Sequence, residues 1–507
     1  MQLAAPVAVL ALLLSPQCRA DWKVTPSVDL RETYSDNVRL EADQFAKAQF
    51  ITDLAPSLSI ANNGPRLKLT AAFTTHLYAY SNERIDGTNS SQRQLAANAR
   101  ARLIEDLLFF DAAASIGQQA ISSFGPQVAN NGYADTNRTE VSTWRVSPYL
   151  SHRFGSAATA ELRYVRDSVK SGNVGLGDST ASTVSTSIAS GAAFRTLGWG
   201  LQASHENLDS TRGGESTADT ASAQLNWRVS NTLSLNANRG YDKYDYKAFA
   251  GSTAGPSYSL GLVWSPSSRT QLQASAGKRY FGNSYTFDAT HRSRHSVWSI
   301  NYNDAVTTTR GEFLRPVSID TAALLNGLFA ATITDPAARQ LAVDAYIRSN
   351  NLPALQVQNT NGFSNRYFLQ KQFRASAGFN GARTILLFSL NATKRNALSI
   401  QQAEINLPGS SLAELNDNTR QAGATASLNY RISPRSAATL MLSKTRTESL
   451  ATGFKDDQLL LSVGMTRQLQ KKLKGALELR HAQGNALVVG GRTYRENAIT
   501  ASLSYQL

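Results

Sequence analysis

Six histidines, His76, His152, His205, His291, His295 and His481, are the side chains best suited to metal or acid–base chemistry. Only His291 and His295 are close in sequence. Four residues bring two imidazoles together on a helix but leave them roughly 13 Å apart along a strand. Their segment reads as strand, so the pair is read as wall polarity. The sequence has no Gly-x-Ser-x-Gly elbow and no Gly-Lys-Ser/Thr phosphate loop. Tyr34-Ser35-Asp36-Asn37 offers a turn without the remaining ligands of a calcium loop. The single cysteine, Cys18, lies in a segment expected to be removed on export, which leaves no thiol chemistry. No catalytic residue, metal or cofactor is assigned, and a non-enzymatic protein is expected.

The arginines carry more. By parity, Arg100, Arg102, Arg145, Arg163, Arg228, Arg279, Arg374, Arg431 and Arg480 fall on the polar faces of their segments, with Lys68 and Lys474. Glu161 and Glu478 share those faces. Two roles fit: cross-strand pairs that brace a wall, or a positive lining that draws anionic solute into a pore. These nine arginines are the candidate pore-lining residues. The net charge is +14, but the basic residues are spread along strands, and no nucleic-acid motif accompanies them.

What must position these side chains is a repeated strand pattern. Leu95, Ala97, Ala99, Ala101 and Leu103 alternate with Gln94, Asn98, Arg100 and Arg102. Ala221, Ala223, Leu225 and Trp227 alternate with Ser222, Gln224, Asn226 and Arg228. Ala422, Ala424, Ala426, Leu428 and Tyr430 alternate with Gln421, Thr425, Ser427, Asn429 and Arg431. Such alternation is the period of a strand with two unlike faces. An apolar face of Ala and Leu with Tyr or Trp near the strand ends fits a lipid-facing wall and its aromatic girdle. The last residues, Ile499 to Leu507, alternate in the same way, as expected of a closing strand that barrel-assembly machinery recognises.

Residues 1–20 read as a secretory signal, with an apolar run from Leu3 to Leu14 and a cleavage site after Ala20. No later run is long and apolar enough for a transmembrane helix, and the mean hydropathy of −0.29 is what an apolar outer face and a polar inner one would average. Short turns, such as those at Asn62-Asn63-Gly64-Pro65, Phe154-Gly155-Ser156, Asn303-Asp304 and Pro434-Arg435, alternate with longer polar connections. Their number predicts about 22 strands, in a range of 18 to 22, with short turns in the periplasm and long loops outside. The fold expected over 21–507 is therefore an all-β, large antiparallel transmembrane barrel in the bacterial outer membrane. One segment breaks the pattern: 318–353 reads as a helical insert, with a second start at Asp335-Pro336, placed over the extracellular mouth or in the lumen.

The stretch Asp21-Trp22-Lys23-Val24-Thr25-Pro26-Ser27-Val28-Asp29-Leu30-Arg31-Glu32-Thr33-Tyr34-Ser35-Asp36-Asn37-Val38 resembles a family of uncharacterised outer-membrane β-barrel proteins associated with exosortase (PEP-CTERM) sorting systems and exopolysaccharide loci. Asp335 to Tyr346 and Leu352-Pro353 look like the insert of that family. The resemblance extends over nearly all of 21–507 and implies a barrel linked to surface polysaccharide. It brings no catalytic residues. Leu507 stands where such barrels more commonly have Phe.

The leading expectation is a porin-like channel or accessory protein for exopolysaccharide export or exosortase protein sorting, with a Gln/Asn/Ser/Arg lumen. A plugged barrel that scaffolds the export machinery is the alternative, and a barrel enzyme acting on lipid or surface glycan is the third. The expected partners are outer-membrane lipid, the barrel-assembly machinery through the C-terminal strand, and polysaccharide as candidate cargo, with no nucleic acid.

Overall fold

The computed structural model describes residues 22–507 apart from 82–89, 127–131, 134–136, 173–176, 212–213, 247–252, 315–319, 331–332, 334–338, 340–341, 344–345, 348–365, 400–414 and 486–492. The expected leader, 1–20, lies outside the described residues.

Twenty-two antiparallel strands run from β1 (Lys23–Ser35) to β22 (Thr493–Gln506). Each pairs with its neighbours in sequence, and β22 pairs back onto β1. The sheet has no free edge. Its seam sets Leu30 opposite Leu503 and Arg31 opposite Ser502, and Thr33 Oγ1 meets Thr500 Oγ1 at 3.1 Å across it. The strand number agrees with the sequence expectation, and the physical reason is economy of backbone polar groups. In hydrocarbon no water can satisfy an unpaired N–H or C=O, so a spanning sheet has to close.

Register fixes the two faces. Leu30, Leu54 and Leu77 stand side by side across β1, β2 (Gln49–Asn63) and β3 (Leu67–Tyr80), and all three are exposed. Leu225, Leu260, Leu390, Leu442, Leu479 and Leu503 are likewise exposed along the outer wall. A water-soluble protein does not expose an apolar belt of this extent. Trp227, Trp264 and Tyr430 are exposed near the short turns, and Tyr34, Tyr241 and Tyr258 toward the other rim, where amphipathic rings anchor a barrel at its interfaces. The wall is that of a bacterial outer-membrane barrel. Among the described residues no helix is long and apolar enough to cross a membrane.

One expectation needs correction, and another is shown only in part. The turn expected at Asn303-Asp304 falls inside β15 (Ser296–Thr308); the chain turns at 293–295, where Ser293 N donates to Ser296 O. Asn and Asp favour turns, but here Asp304 takes another part. Pairing between β14 (Gly282–Arg292) and β15 stops at Thr286 and Asn303, and Asp304 Oδ2 accepts the freed Tyr285 N–H at 3.3 Å. The helical insert over 318–353 is not shown as a continuous unit. The described residues after β15 form α1 (Thr309–Phe313) and the ten-residue α2 (Asp320–Phe329), with scattered positions beyond. The second expected start, Asp335-Pro336, lies outside the described residues.

The face assignment has a direct test at the seam. Leu503→Arg puts a charge on the lipid face, at a cost of about 2–4 kcal/mol near the bilayer centre and less toward its rims. Ser504→Arg puts the same charge in the lumen, opposite Asp29. Outer-membrane yield and heat-modifiable migration should fall for Leu503→Arg and stay near wild type for Ser504→Arg.

Candidate functional site

The inner wall carries every arginine singled out from the sequence, and most are already held. On β4 (Ser91–Ile104), Arg100 Nε donates to Asp111 Oδ1 of β5 (Leu108–Ala120) at 3.0 Å. From β7 (Ala158–Ser171), Arg163 donates to Glu161 Oε1 at 2.8 Å, to Ser147 Oγ of β6 (Arg138–Phe154) at 2.9 Å and to Asp111 Oδ2 at 3.3 Å. Its guanidinium lies 3.8 Å from the Tyr149 ring centre. Arg100, Asp111, Arg163 and Glu161 thus form one alternating chain across four strands. Arg279 donates to Asp242 Oδ2 at 2.9 Å. Arg102 and Arg431 bind turn carbonyls of Pro65 and Ala382 at the short-turn rim. Arg145 and Arg228 share the lumen face, and Arg374 stands between Asn301 and Asn391. Bracing therefore accounts for much of the arginine set.

The histidines do not converge. His291 Nδ1 lies 2.9 Å from Thr270 Oγ1, whereas His295 Nδ1 lies 3.2 Å from the carbonyl of Asn380. Among the described residues no three His, Cys, Asp or Glu side chains gather as a metal site.

What the sequence did not reveal is that the connection after β5 also enters the lumen. The connection after β5 leaves the wall and is tied to distant strands. Gly125 N donates to Asp456 Oδ2 at 2.8 Å, and Gln458 Nε2 donates to Gly125 O at 2.6 Å, both on β20 (Lys455–Gln470). Ser122 Oγ donates to Asn416 Oδ1 at 3.1 Å, and Phe124 meets Phe454 edge to face at 5.7 Å. Further on, Gly132 lies against Ile51 and Tyr78 so closely that a Cβ there would sit 3.1 Å from each, and Tyr80 OH donates to its carbonyl. Tyr133 then donates to Glu496 Oε1 at 2.5 Å. Glu496, 0% exposed, also accepts from Ser35 Oγ at 3.0 Å and from Arg480 Nη2 of β21 (Leu473–Asn485) at 2.8 Å. Arg480 hydrogen-bonds Tyr133 as well. Burial holds the Tyr133 phenol above its ordinary value, which keeps it a donor. A single buried carboxylate thus gathers β1, β21, β22 and the crossing loop.

A second crossing follows β15. Thr308 caps α1 by accepting Gly311 N–H at 3.0 Å. Arg310 then pairs with Asp167 on β7, and Phe313 and Leu314 pack on Val141 and Val169 of β6 and β7, at the far wall. On the near side, Arg395 of β17 (Thr384–Ala397) is 1% exposed, donates to Thr309 Oγ1 at 3.2 Å and stacks over Phe368 at 3.9 Å.

The chain then descends. Leu324, Leu325 and Leu328 of α2 pack with Ile385 and Leu387, near the short-turn ends of the wall. Two glycines let the helix come close. A Cβ on Gly327 would stand 3.0 Å from Val297, and one on Gly378 of β16 (Tyr367–Asn380) would stand 3.1 Å from Leu328. Tyr346 reaches Asn429 Oδ1 at 2.7 Å. Between α2 and the wall from β13 (Thr270–Arg279) to β17 remains a cavity of about 650 Å³ lined by Gln271, Asp288, Asn301, Arg374, Asn391 and Leu324, among others. A signal for the docking was present in the sequence. Ile385-Leu386-Leu387-Phe388 is apolar on both faces, where a wall strand beside water would alternate.

No family model and no curated protein sequence matches the chain. Among solved structures, the FrpB iron transporter from Neisseria meningitidis in its apoprotein form is similar at 9% identity and a TM-score of 0.51, over 95% of this chain and 81% of that one. Another FrpB structure, of the F5-1 variant, gives 8% identity and a TM-score of 0.50, over 95% and 82%. The siderophore receptor PirA from Pseudomonas aeruginosa covers 96% of this chain and 80% of its own at 9% identity, with a TM-score of 0.44. What the FrpB likeness shows is the fold: a large outer-membrane β-barrel.

Proposed function

We propose that the protein is an outer-membrane transport barrel that rests closed and admits a polar, carbohydrate-class solute when its own crossing segments yield. The observation that carries this reading is the lumen beside α2. Its wall offers amides, hydroxyls, the Asp288 carboxylate, the guanidiniums of Arg269, Arg292 and Arg374 and the His291 imidazole around a hollow, a donor-rich mix that recognises sugar hydroxyls without a metal or a nucleophile. The link to exopolysaccharide export, or to exosortase sorting, rests on the N-terminal resemblance. The FrpB likeness is one of fold and carries no cargo across.

A second reading, a plugged scaffold for export machinery, draws support from how firmly the crossings are held. Conductance distinguishes the two. In planar bilayers the wild type should conduct poorly, and deletion of 318–353 should raise the unitary current severalfold. A deletion variant that assembles and stays silent would leave the scaffold as the better account.

Two finer outcomes follow from the same geometry. Glu496→Gln leaves Arg480 buried without its full counter-charge, a loss on the order of 3–5 kcal/mol for such pairs. Limited proteolysis should then cut 121–137 faster than in the wild type, with Tyr133→Phe giving a smaller change of about 1 kcal/mol. In the deletion variant, the reversal potential should show anion preference that grows at low salt, because screening weakens there. Arg145→Gln with Arg228→Gln should reduce it, whereas Arg100→Gln, which unbalances a paired chain, should act mainly on stability.

A further inference from the structure

The outer wall of β16 to β20 carries charge where its apolar belt ends. Register places Lys371 opposite Lys394, Lys394 opposite Arg420 of β18 (Thr419–Ser433), Arg420 opposite Glu448 of β19 (Ser436–Ser449), and Glu448 opposite Lys455. These residues share the parity of Phe373, Phe388, Leu390 and Leu442, all exposed, so they point outward. Two residues nearer the short turns, Arg446 pairs with Asp457 at 2.7 and 2.9 Å, and Lys444 follows two residues beyond, opposite Leu459. Six cations thus stand on one stretch of wall, toward the rim of the long connections.

Three of them form no ion pair among the described residues, although Glu448 stands opposite Arg420 and Asp457 lies within electrostatic reach of Lys444. Lys371 lies 3.9 Å from Asp304, Lys455 lies 3.7 Å from Glu448, and Arg446 has Asp457. Among the described residues no carboxylate comes within 4 Å of Lys394, Arg420 or Lys444. Side chains directly opposite on neighbouring strands are about 5 Å apart, and like charges there repel. Lys371, Lys394 and Arg420 therefore form a row of about 10 Å with no acid inside it. Long cations at a membrane interface do snorkel toward water, but snorkelling alone does not explain three set side by side.

We propose that this face binds an anionic glycolipid of the outer leaflet bearing two or more phosphates. The phosphates bridge the Lys371–Lys394–Arg420 row and Lys444, and the acyl chains lie along Phe388, Leu390, Leu442 and Leu461. Continuity with the lipid-facing wall selects a lipid over a soluble anion, and the width of the row selects a headgroup with more than one phosphate. The site is independent of whether the lumen conducts.

The test uses full-length protein purified from outer membranes in mild detergent. Native mass spectrometry should find phosphorylated glycolipid retained by the wild type. Titration with bisphosphorylated, acylated glucosamine disaccharide should raise the thermal midpoint, while phosphatidylglycerol should act much more weakly and inorganic phosphate should have no effect at equal phosphate. The variant Lys394→Gln/Arg420→Gln/Lys444→Gln should weaken glycolipid binding by about tenfold or more, and Lys394→Gln alone by less, serving as the readout if the triple variant assembles poorly. Lumen-facing Arg228→Gln should bind as the wild type. Equal binding by both outer-face variants and the wild type, equal response to phosphatidylglycerol, or an equal effect of inorganic phosphate would each overturn the proposal.

Discussion

Closure of the backbone hydrogen-bond ladder is the constraint on which the rest of the structure depends. A sheet in hydrocarbon has no water to satisfy a free edge, so β22 must find β1. Once the sheet closes, parity is no longer free. Each strand shows one set of residues to lipid and the other to the lumen, and a one-residue slip would exchange the sets. The seam shows this in a few residues: Leu30 meets Leu503 outside, while Thr33 meets Thr500 within. The inward arginines follow from the same rule, since no lipid-facing position would tolerate them near the bilayer centre.

Closure also creates a problem that the crossing segments address. A ring of this many strands encloses a wide lumen. The loop after β5 and the segment after β15 enter that space and bind walls remote from their own. They do so by different chemistry. The first relies on buried hydrogen bonds gathered by Glu496 and on the close approach at Gly132. The second relies on an ion pair at the far wall and on apolar packing of α2 against Ile385 and Leu387. Buried polar contacts fix one geometry but lose much when one partner goes, whereas apolar packing tolerates sliding. That contrast makes the polar latch the more switch-like of the two.

The wall was legible in the sequence because its signal is local. Alternation over a few residues, as in Gln421 to Arg431, states both strand and face. The inward parity of Arg100, Arg163 and Arg480 could be read in the same way. Their partners could not. Asp111 serves both Arg100 and Arg163, and Glu496 joins Arg480 to Tyr133, which lies hundreds of residues away in sequence. Nothing local encodes such pairings. Asn303-Asp304 misled because turn residues are recognised by type, whereas Asp304 acts on a backbone N–H of the neighbouring strand. The apolar run at 385–388 and the helical pattern within 318–353 were the local signs that something docks inside the wall.

The central claim is that chain following β15 lies within the barrel rather than above it. Beyond Cys18 the sequence has no cysteine, so an engineered pair can be read without background. Cysteines at Leu314 and Val169, joined by a short bis-thiol reagent in intact outer membranes, report whether the segment reaches the far wall. The account predicts efficient intramolecular cross-linking for this pair and none for Leu314 with Trp298 on the outer face. Failure of the Leu314–Val169 pair to cross-link in assembled barrels, with both cysteines reactive to single-site reagents, would contradict it.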